Sequence, residues 1–510
     1  MPISSPSAPV ENPRRLATSC CASRANSALS GANVAAGVTK SSVLAGETIS
    51  SMVGVCLGIF TGGRTGASAD RIGALINLIC DSNSMKHSVF LLRYLLVIVG
   101  SGLLLGGCGV NPVTGSSEMS FMSEAEEIRT GEQQYGPSQQ SEGGQYVLDP
   151  ELTRYVQRVG MRLARVSDRP ELPYEFVVLN NSEPNAWALP GGKIALNRGL
   201  LVLLESEAQL AAVRGHEIGH AAAGHGAQQQ AKDTLLGVGL AVLGVATSSS
   251  GYQDLVMQGA QVGGALVQTR YSREAELEAD HYGMNYMARA GYDPQGAVQV
   301  QELLLRLSAG KPQGGLFASH PPSQERVDAN RRTARKLGPG DDGREEFQRE
   351  TAPLRRDQPA YAAYDKGLAA MNAKRYEEAL KFSNTALKLQ DREALFHELR
   401  GVASAQLNRP VDAIKSYNQA IARNQGFFRP YLLRGMLHLK RGNLDVARED
   451  LTVANRLFPT ADATLGLGDI AARQGDTQTA IRYYEPVAKS NSSLAPAARE
   501  RIAKLRGYSR

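Results

Sequence analysis

Three glycines, Gly367, Gly401 and Gly435, recur every 34 residues, and two sets of alanines keep the same step: Ala379, Ala413 and Ala447, then Ala386, Ala420 and Ala454. A fixed period of this length confines a segment to one kind of architecture. Each repeat is too small to bury its own apolar face, and stacked neighbours supply the missing core. Small residues at matched positions let paired helices approach closely. Residues 359–510 are therefore predicted to form an all-α solenoid of about four helical hairpins. Tyr376, Tyr417 and Pro459 fit the same frame. A fourth copy runs through Gly468, Ala480 and Tyr484 with one residue deleted, as terminal repeats tend to be. His397 and His438 fall inside the array and are read as structural.

The chemistry lies earlier, in His216-Glu217-Ile218-Gly219-His220. Ser206 followed by Gln209 is a capping-box start, and Leu210, Ala211, Val213 and Ile218 give the following helix an apolar side. On a helix, positions four apart share a face, so His216 and His220 offer two imidazoles to one metal ion. Glu217 then points beside the metal, where a carboxylate takes a proton from the attacking water. A site of this kind needs a third ligand. His225 follows His220 by five residues rather than six, with Ala223 where a glycine would be expected, and is read as structural or as an outer partner. The acidic helix predicted around Ser272 to Asp280 offers Glu276 and Asp280, four apart on one face. One of them completes a two-histidine, one-carboxylate site and the other holds a ligand imidazole in its tautomer. The competing reading is an ordinary charged, solvated helix face.

Five ordered stretches together resemble the HtpX/Oma1/BepA-type zinc metallopeptidases, a gluzincin family. They are His216 to His220, the Ser272-Arg273…Glu276…Ala279-Asp280 run, Asn185 to Gly192, Gly291-Tyr292-Asp293-Pro294, and Ser319-His320-Pro321. The resemblance spans roughly residues 110 to 340, and the hairpin array beyond it is similar to tetratricopeptide repeats, as in BepA-like members. It implies one zinc ion (Zn2+) per chain, with Glu276 as third ligand and Asp280 as its companion. It implies that residues Trp187, Ala188 and Leu189 belong to an edge strand that pairs with extended substrate. It makes His320 a candidate regulatory fourth ligand and Arg326 a candidate oxyanion donor. Arg214-Gly215 departs from relatives, which usually carry leucine and alanine there; glycine inside a helix costs about 1 kcal/mol relative to alanine.

Composition bounds the rest. The 510 residues are 42% hydrophobic with a formal charge of +6, and no basic, aromatic-studded patch points to nucleic acid. All five cysteines lie within the first 108 residues, so the segment beyond Cys108 is not stapled by disulfides. Residues 85–107 read as a lipoprotein signal peptide: Lys86 and Arg93, an apolar run from Tyr94 to Leu105, then small residues before Cys108. Cleavage there and lipidation of Cys108 imply a membrane anchor. Gly109 after the cysteine, by analogy with enterobacterial sorting, implies the outer membrane, hence a bacterial periplasmic location. Residues 1–84 read as an upstream extension, with an organellar transit peptide as the competing reading. Thr234 to Ala246 is too short and interrupted to span a bilayer and is expected to cover the cleft. Residues 341–358, rich in Gly, Asp, Glu and Arg, read as a linker between a 108–340 catalytic domain and the array.

The expected fold is α+β, a mainly helical zincin-type domain with a small sheet, followed by the solenoid. The expected function is a zinc endopeptidase of the cell envelope acting on unfolded or misassembled outer-membrane proteins. The array would hold substrate or the outer-membrane assembly machinery. The rival is a chaperone or adaptor lipoprotein whose zinc is structural or latent; an intact Glu217 argues against it, since a structural site needs no general base.

Overall fold

The computed structural model describes residues 108–111, 113–119, 122–230, 271–308 and 319–507, which belong to one compact unit. The predicted signal peptide, the upstream extension and the Thr234–Ala246 cover lie outside the described residues. So does the side chain of Cys108, whose backbone pairs β1 (Cys108–Val110) antiparallel to β2 (Ser117–Met119). Among the described residues no helix is long and apolar enough to cross a membrane.

Two helices precede the main sheet. Helix α1 (Glu124–Ser141) carries Pro137 inside it. Helix α2 (Pro150–Ala164) starts where Asp149 accepts from the backbone N–H groups of Glu151 and Leu152, and it buries Leu152, Tyr155, Val156, Val159 and Leu163. The sheet has three strands, β3 (Glu175–Leu179), β4 (Ala186–Leu189) and β5 (Lys193–Asn197). Their order is β3-β5-β4, with β3 parallel and β4 antiparallel to β5, so β4 is an edge. Between β4 and β5 the chain reverses at Gly191, whose φ of 73° is left-handed; a Cβ there would sit 2.6 Å from the Ile128 backbone. Only glycine serves at that turn.

The short α3 (Arg198–Leu201) leads to α4 (Glu207–Ala222), nearly all of it buried. Helices α5 (Arg273–Arg289) and α6 (Gln295–Ser308) pack against it, and α7 (Gln324–Leu337) packs against those two. One continuous core joins α2, the sheet, α4 and these helices.

Residues 341–358 are not an extended linker. They form α8 (Arg344–Arg356), which lays Phe347 and Leu354, both fully buried, onto the catalytic domain. Seven residues apart, these two side chains share one helix face. Arg355 ties the helix down by donating to the Val202 carbonyl at 3.2 Å. The polar composition masked an anchor that needs only two apolar residues.

The solenoid is present as four helical hairpins, closed by α17 (Ala495–Gly507). They are α9 (Gln358–Asn372) with α10 (Tyr376–Leu389), α11 (Ala394–Gln406) with α12 (Pro410–Arg423), α13 (Phe428–Lys440) with α14 (Leu444–Leu457), and α15 (Ala461–Arg473) with α16 (Thr477–Lys489). Each recurrent glycine receives a large side chain: a Cβ on Gly401 would lie 2.5 Å from the Tyr417 ring, and one on Gly468 2.4 Å from Tyr484. The solenoid is joined to the catalytic domain by a buried polar network. Arg198 lies 3.4 Å over the Tyr361 ring and donates to Asn180; Asn180 donates to Glu393, which also accepts from the Tyr361 hydroxyl at 2.6 Å. A second tie runs from Gln140 in α1 to the carbonyl of Gly426 and the backbone N–H of Phe428.

Candidate metal centre

Helix α4 begins at Ser206, whose hydroxyl accepts from the Gln209 backbone N–H, while the Gln209 side chain reaches back to Glu205. It then passes α5 with almost no gap. A Cβ on Gly215 would stand 2.8 Å from the Gly283 carbonyl oxygen, and one on Gly219 2.9 Å from that of Ala279. This near-contact is what brings the histidines of one helix against the carboxylates of the other.

His216, His220, Glu276 and His320 each offer a ligand atom, all within 4.8 Å of one another. The His216 and His220 Nε2 atoms are 3.1 Å apart. Glu276 places Oε1 3.3 Å from His220 Nε2 and Oε2 3.5 Å from His216 Nε2. Tetrahedral ligands at bond lengths of about 2.0–2.1 Å stand about 3.3 Å from each other, so this set fits a small divalent cation without rearrangement. His320 turns Nδ1 toward the same point, 2.9 Å from Glu276 and 3.2 Å from His216.

The charges ask for a cation as well. Glu217, Glu276 and Asp280 are buried here, with Arg326 as the guanidinium among them. Burial opposes a charged His216, yet the Asp280 and Glu276 carboxylates outweigh it and push the imidazole up to about 10. Burial would also raise Asp280, but Arg326 and His216 hold it down at about 2. Glu276 stays well below the carboxylate range against its own burial, through His320 and Arg326. Burial pulls His220 well below its ordinary value, leaving a neutral imidazole with a lone pair to give.

Outside the cluster each ligand is held in turn. Asp280 Oδ1 lies 2.8 Å from His216 Nδ1. Arg326 grips Asp280 through Nε and Nη2 at 2.7 and 2.8 Å and reaches Glu276 and the Pro321 carbonyl through Nη1. All its nitrogens are so engaged, and the side chain is 3% exposed. The expected oxyanion donor is thus a clamp on two carboxylates, because the nearest negative charges lie inside the wall rather than in the cleft. His220 is sandwiched differently: Tyr271 stacks on its ring at 4.0 Å, and its Nδ1 meets His225 Nδ1 at 2.9 Å. Sequence spacing left His225 without a definite role. Gly224, with φ of +69°, turns the chain after α4 and swings His225 back under His220; that glycine was the available signal.

Glu217 is 2% exposed, with Oε1 3.8 Å from His320 Nε2. It lines a cavity of about 40 Å³ together with His216, His320, Ala186 and α6 residues. Edge strand β4 splits by face. Ala186 faces this cavity, and Ala188 and Leu189 line a smaller one beside His220 and Tyr271. Trp187 and Leu189 pack with Val177 and Ala195 behind the sheet, where Trp187 meets the edge of Tyr135 at 6.2 Å. Of the three expected substrate residues, then, the Trp187 side chain is core.

Residues 150–334 match Peptidase family M48, and residues 364–426 and 432–503 match the Tetratricopeptide repeat. The chain is 29% identical over 347 residues to the Beta-barrel assembly-enhancing protease of Escherichia coli (strain K12), covering 61% of this chain and 69% of that one. It is 30% identical over 222 residues to the Mitochondrial metalloendopeptidase OMA1 of Arabidopsis thaliana, 44% of each chain. It is 28% identical over 251 residues to Metalloprotease YcaL of Escherichia coli (strain K12), 46% of this chain and 94% of that one.

Proposed function

This chain is a metalloendopeptidase of family M48 that carries tetratricopeptide repeats, and from that premise we propose that it is a zinc enzyme of the bacterial cell envelope that cleaves misfolded or misassembled outer-membrane proteins. The observation that carries the reading is the convergence of His216, His220 and Glu276 with Glu217 beside them. The printed name of the Escherichia coli relative, a β-barrel assembly-enhancing protease, supports the substrate class. A lipidated Cys108 in the outer membrane would place the enzyme where such clients collect, and the repeats would grip the client or the assembly machinery.

Held by His216, His220 and Glu276, zinc would supply Lewis acidity toward the scissile carbonyl and lower the pKa of water toward about 7. Glu217 takes the proton of the attacking water and returns it to the leaving amine. The Asp280 carboxylate, 2.8 Å from Nδ1, would hold the His216 imidazole in its tautomer, and Arg326 fixes Asp280. The outer edge of β4 offers main-chain pairing, which gives affinity without demanding a sequence. His320 Nδ1 shares the point where the other ligand atoms converge, and we read it as the group that keeps the resting enzyme latent until substrate displaces it.

Two variants test this. Glu217→Gln should keep its zinc, about one per chain, and lose cleavage of an unfolded outer-membrane protein by about 10²–10⁴-fold. His320→Ala should also keep zinc and cleave faster than wild type. Four protein donors around one point also suit a structural site, which favours the adaptor as second reading. Stoichiometric zinc with no cleavage by wild type or His320→Ala would establish the adaptor and end the enzyme reading. An amino terminus of the mature protein that is not a lipidated Cys108 would sink the anchoring.

A further inference from the structure

We propose that the cavity beside the metal cluster is a specificity pocket for an uncharged carboxamide side chain, glutamine above all, on the residue adjoining the scissile bond, and that Gln301 and Asn330 read it. The inference rests on the protease reading and adds the selectivity that main-chain pairing lacks.

One side of the cavity is the metal centre already described. The other is built by α7 together with α4 and α6, and the Ala212 and Val213 of α4 with the Val300 and Leu304 of α6 make an apolar wall. Into this wall are set two amides, Gln301 at 5% and Asn330 at 2% exposure. Their Oε1 and Nδ2 atoms are buried and have no hydrogen-bond partner among the described residues. Neither amide belongs to the ligand clamp. Buried amide groups in folded proteins are almost always paired, and an orphaned one costs free energy in the resting state. Two orphans in the lining of one cavity, which Glu217 lines as well, are explained by a partner that arrives with the substrate.

The chemistry of that partner follows from what the pocket offers. A hydrocarbon side chain would satisfy the wall and leave both amides unpaired, the situation a polar site rejects most strongly. A carboxylate would meet Glu217 and Asp280, and an ammonium group, with Asp280 and Glu276 already held by Arg326, would pair with Glu217 and take up the general base. A carboxamide brings both acceptor and donor and so completes either orientation of Gln301 and Asn330. Glutamine adds the longer methylene stem that the Val300 and Leu304 wall can cover.

The test maps cleavage sites by mass spectrometry in an unfolded polypeptide mixture treated with the full-length zinc enzyme. Wild type, Gln301→Leu, Asn330→Leu and Glu217→Gln are compared, and melting temperatures are recorded in parallel. Wild type should enrich glutamine about tenfold at one fixed position beside the bond. Each leucine variant should lose that enrichment in favour of leucine and methionine, while melting at or above the wild-type temperature. Gln301→Met serves if leucine impairs folding. Cleavage that depends on Glu217 but shows no carboxamide preference, or a preference both variants keep, overturns the pocket and leaves the protease standing. A melting temperature lowered by several degrees in both leucine variants shows the amides to be structural and also overturns it. No Glu217-dependent cleavage, even with His320→Ala, removes the protease reading and this inference together.

Discussion

His225 Nδ1 lies 2.9 Å from His220 Nδ1, and its other nitrogen is 3.8 Å from the Glu278 carboxylate. Asn111 donates to the same carboxylate at 3.1 Å. With the His220 Nε2 lone pair facing the cluster, its Nδ1–H must donate to His225, which then directs its own N–H at Glu278. A ligand imidazole is oriented by the partner of its second nitrogen, and losing such a partner costs about 10–100-fold in metal affinity. His225→Ala is expected to weaken zinc binding by that factor in a chelator competition, with the fold unchanged by circular dichroism. An unaltered affinity would reduce His225 to packing. The His216–His220 pair and the Glu276–Asp280 pair were legible in the sequence because helical spacing is local, whereas choosing Glu276 and adding His320 rested on the family resemblance. The Arg326 clamp was not legible, since only the fold decides whether a guanidinium meets a carboxylate or an open cleft.

Among the elements, α8 carries the clearest lesson. Its composition reads as a spacer, yet Phe347 is fully buried against Tyr155, ring centroids 6.5 Å apart, with Arg355 5.7 Å over its face. Truncating a buried phenylalanine costs about 3–5 kcal/mol. Phe347→Ala should lower the denaturation midpoint by the equivalent and leave zinc content untouched; a loss below about 1 kcal/mol would mean α8 is loosely held. Gly215 teaches the reverse. By propensity it weakens α4, but a Cβ there would come within 2.8 Å of the Gly283 carbonyl oxygen, which shows why a glycine stands there: the helix gives up local stability to let the ligand pairs meet. The 34-residue period was readable because each repeat touches only its neighbours, so sequence spacing maps directly onto packing.

At the scale of the whole molecule, the joint between solenoid and catalytic domain is polar and buried, with Arg198 at 1% and Glu393 at 2% exposure. One helical turn beyond Glu393 stands His397, 5% exposed, whose Nε2 donates to the Asp391 carbonyl at 2.7 Å while Nδ1 accepts from Arg400 at 3.2 Å. Burial, with Arg423 and Arg400 adding to it, pulls this imidazole down to about 4. The unfolded chain, near 6.5, therefore binds the proton first. The stability that His397 contributes is complete above pH 6.5 and is lost as the pH falls to 4, about 3 kcal/mol in all. Wild type should thus lose melting temperature more steeply between pH 7 and 5 than His397→Gln; parallel curves would refute the assignment.

The Arg198–Asn180–Glu393–Tyr361 joint also decides who does the travelling. If the repeats grip the client as proposed, a solenoid joined through this buried network would offer it from a fixed berth rather than swing it toward the metal centre. The client must supply the slack between the place where it is gripped and the place where it is cut. A finished β-barrel has none to spare, whereas a stalled one trails loose chain. Under the proposed function, incompleteness itself would then be the mark of a substrate.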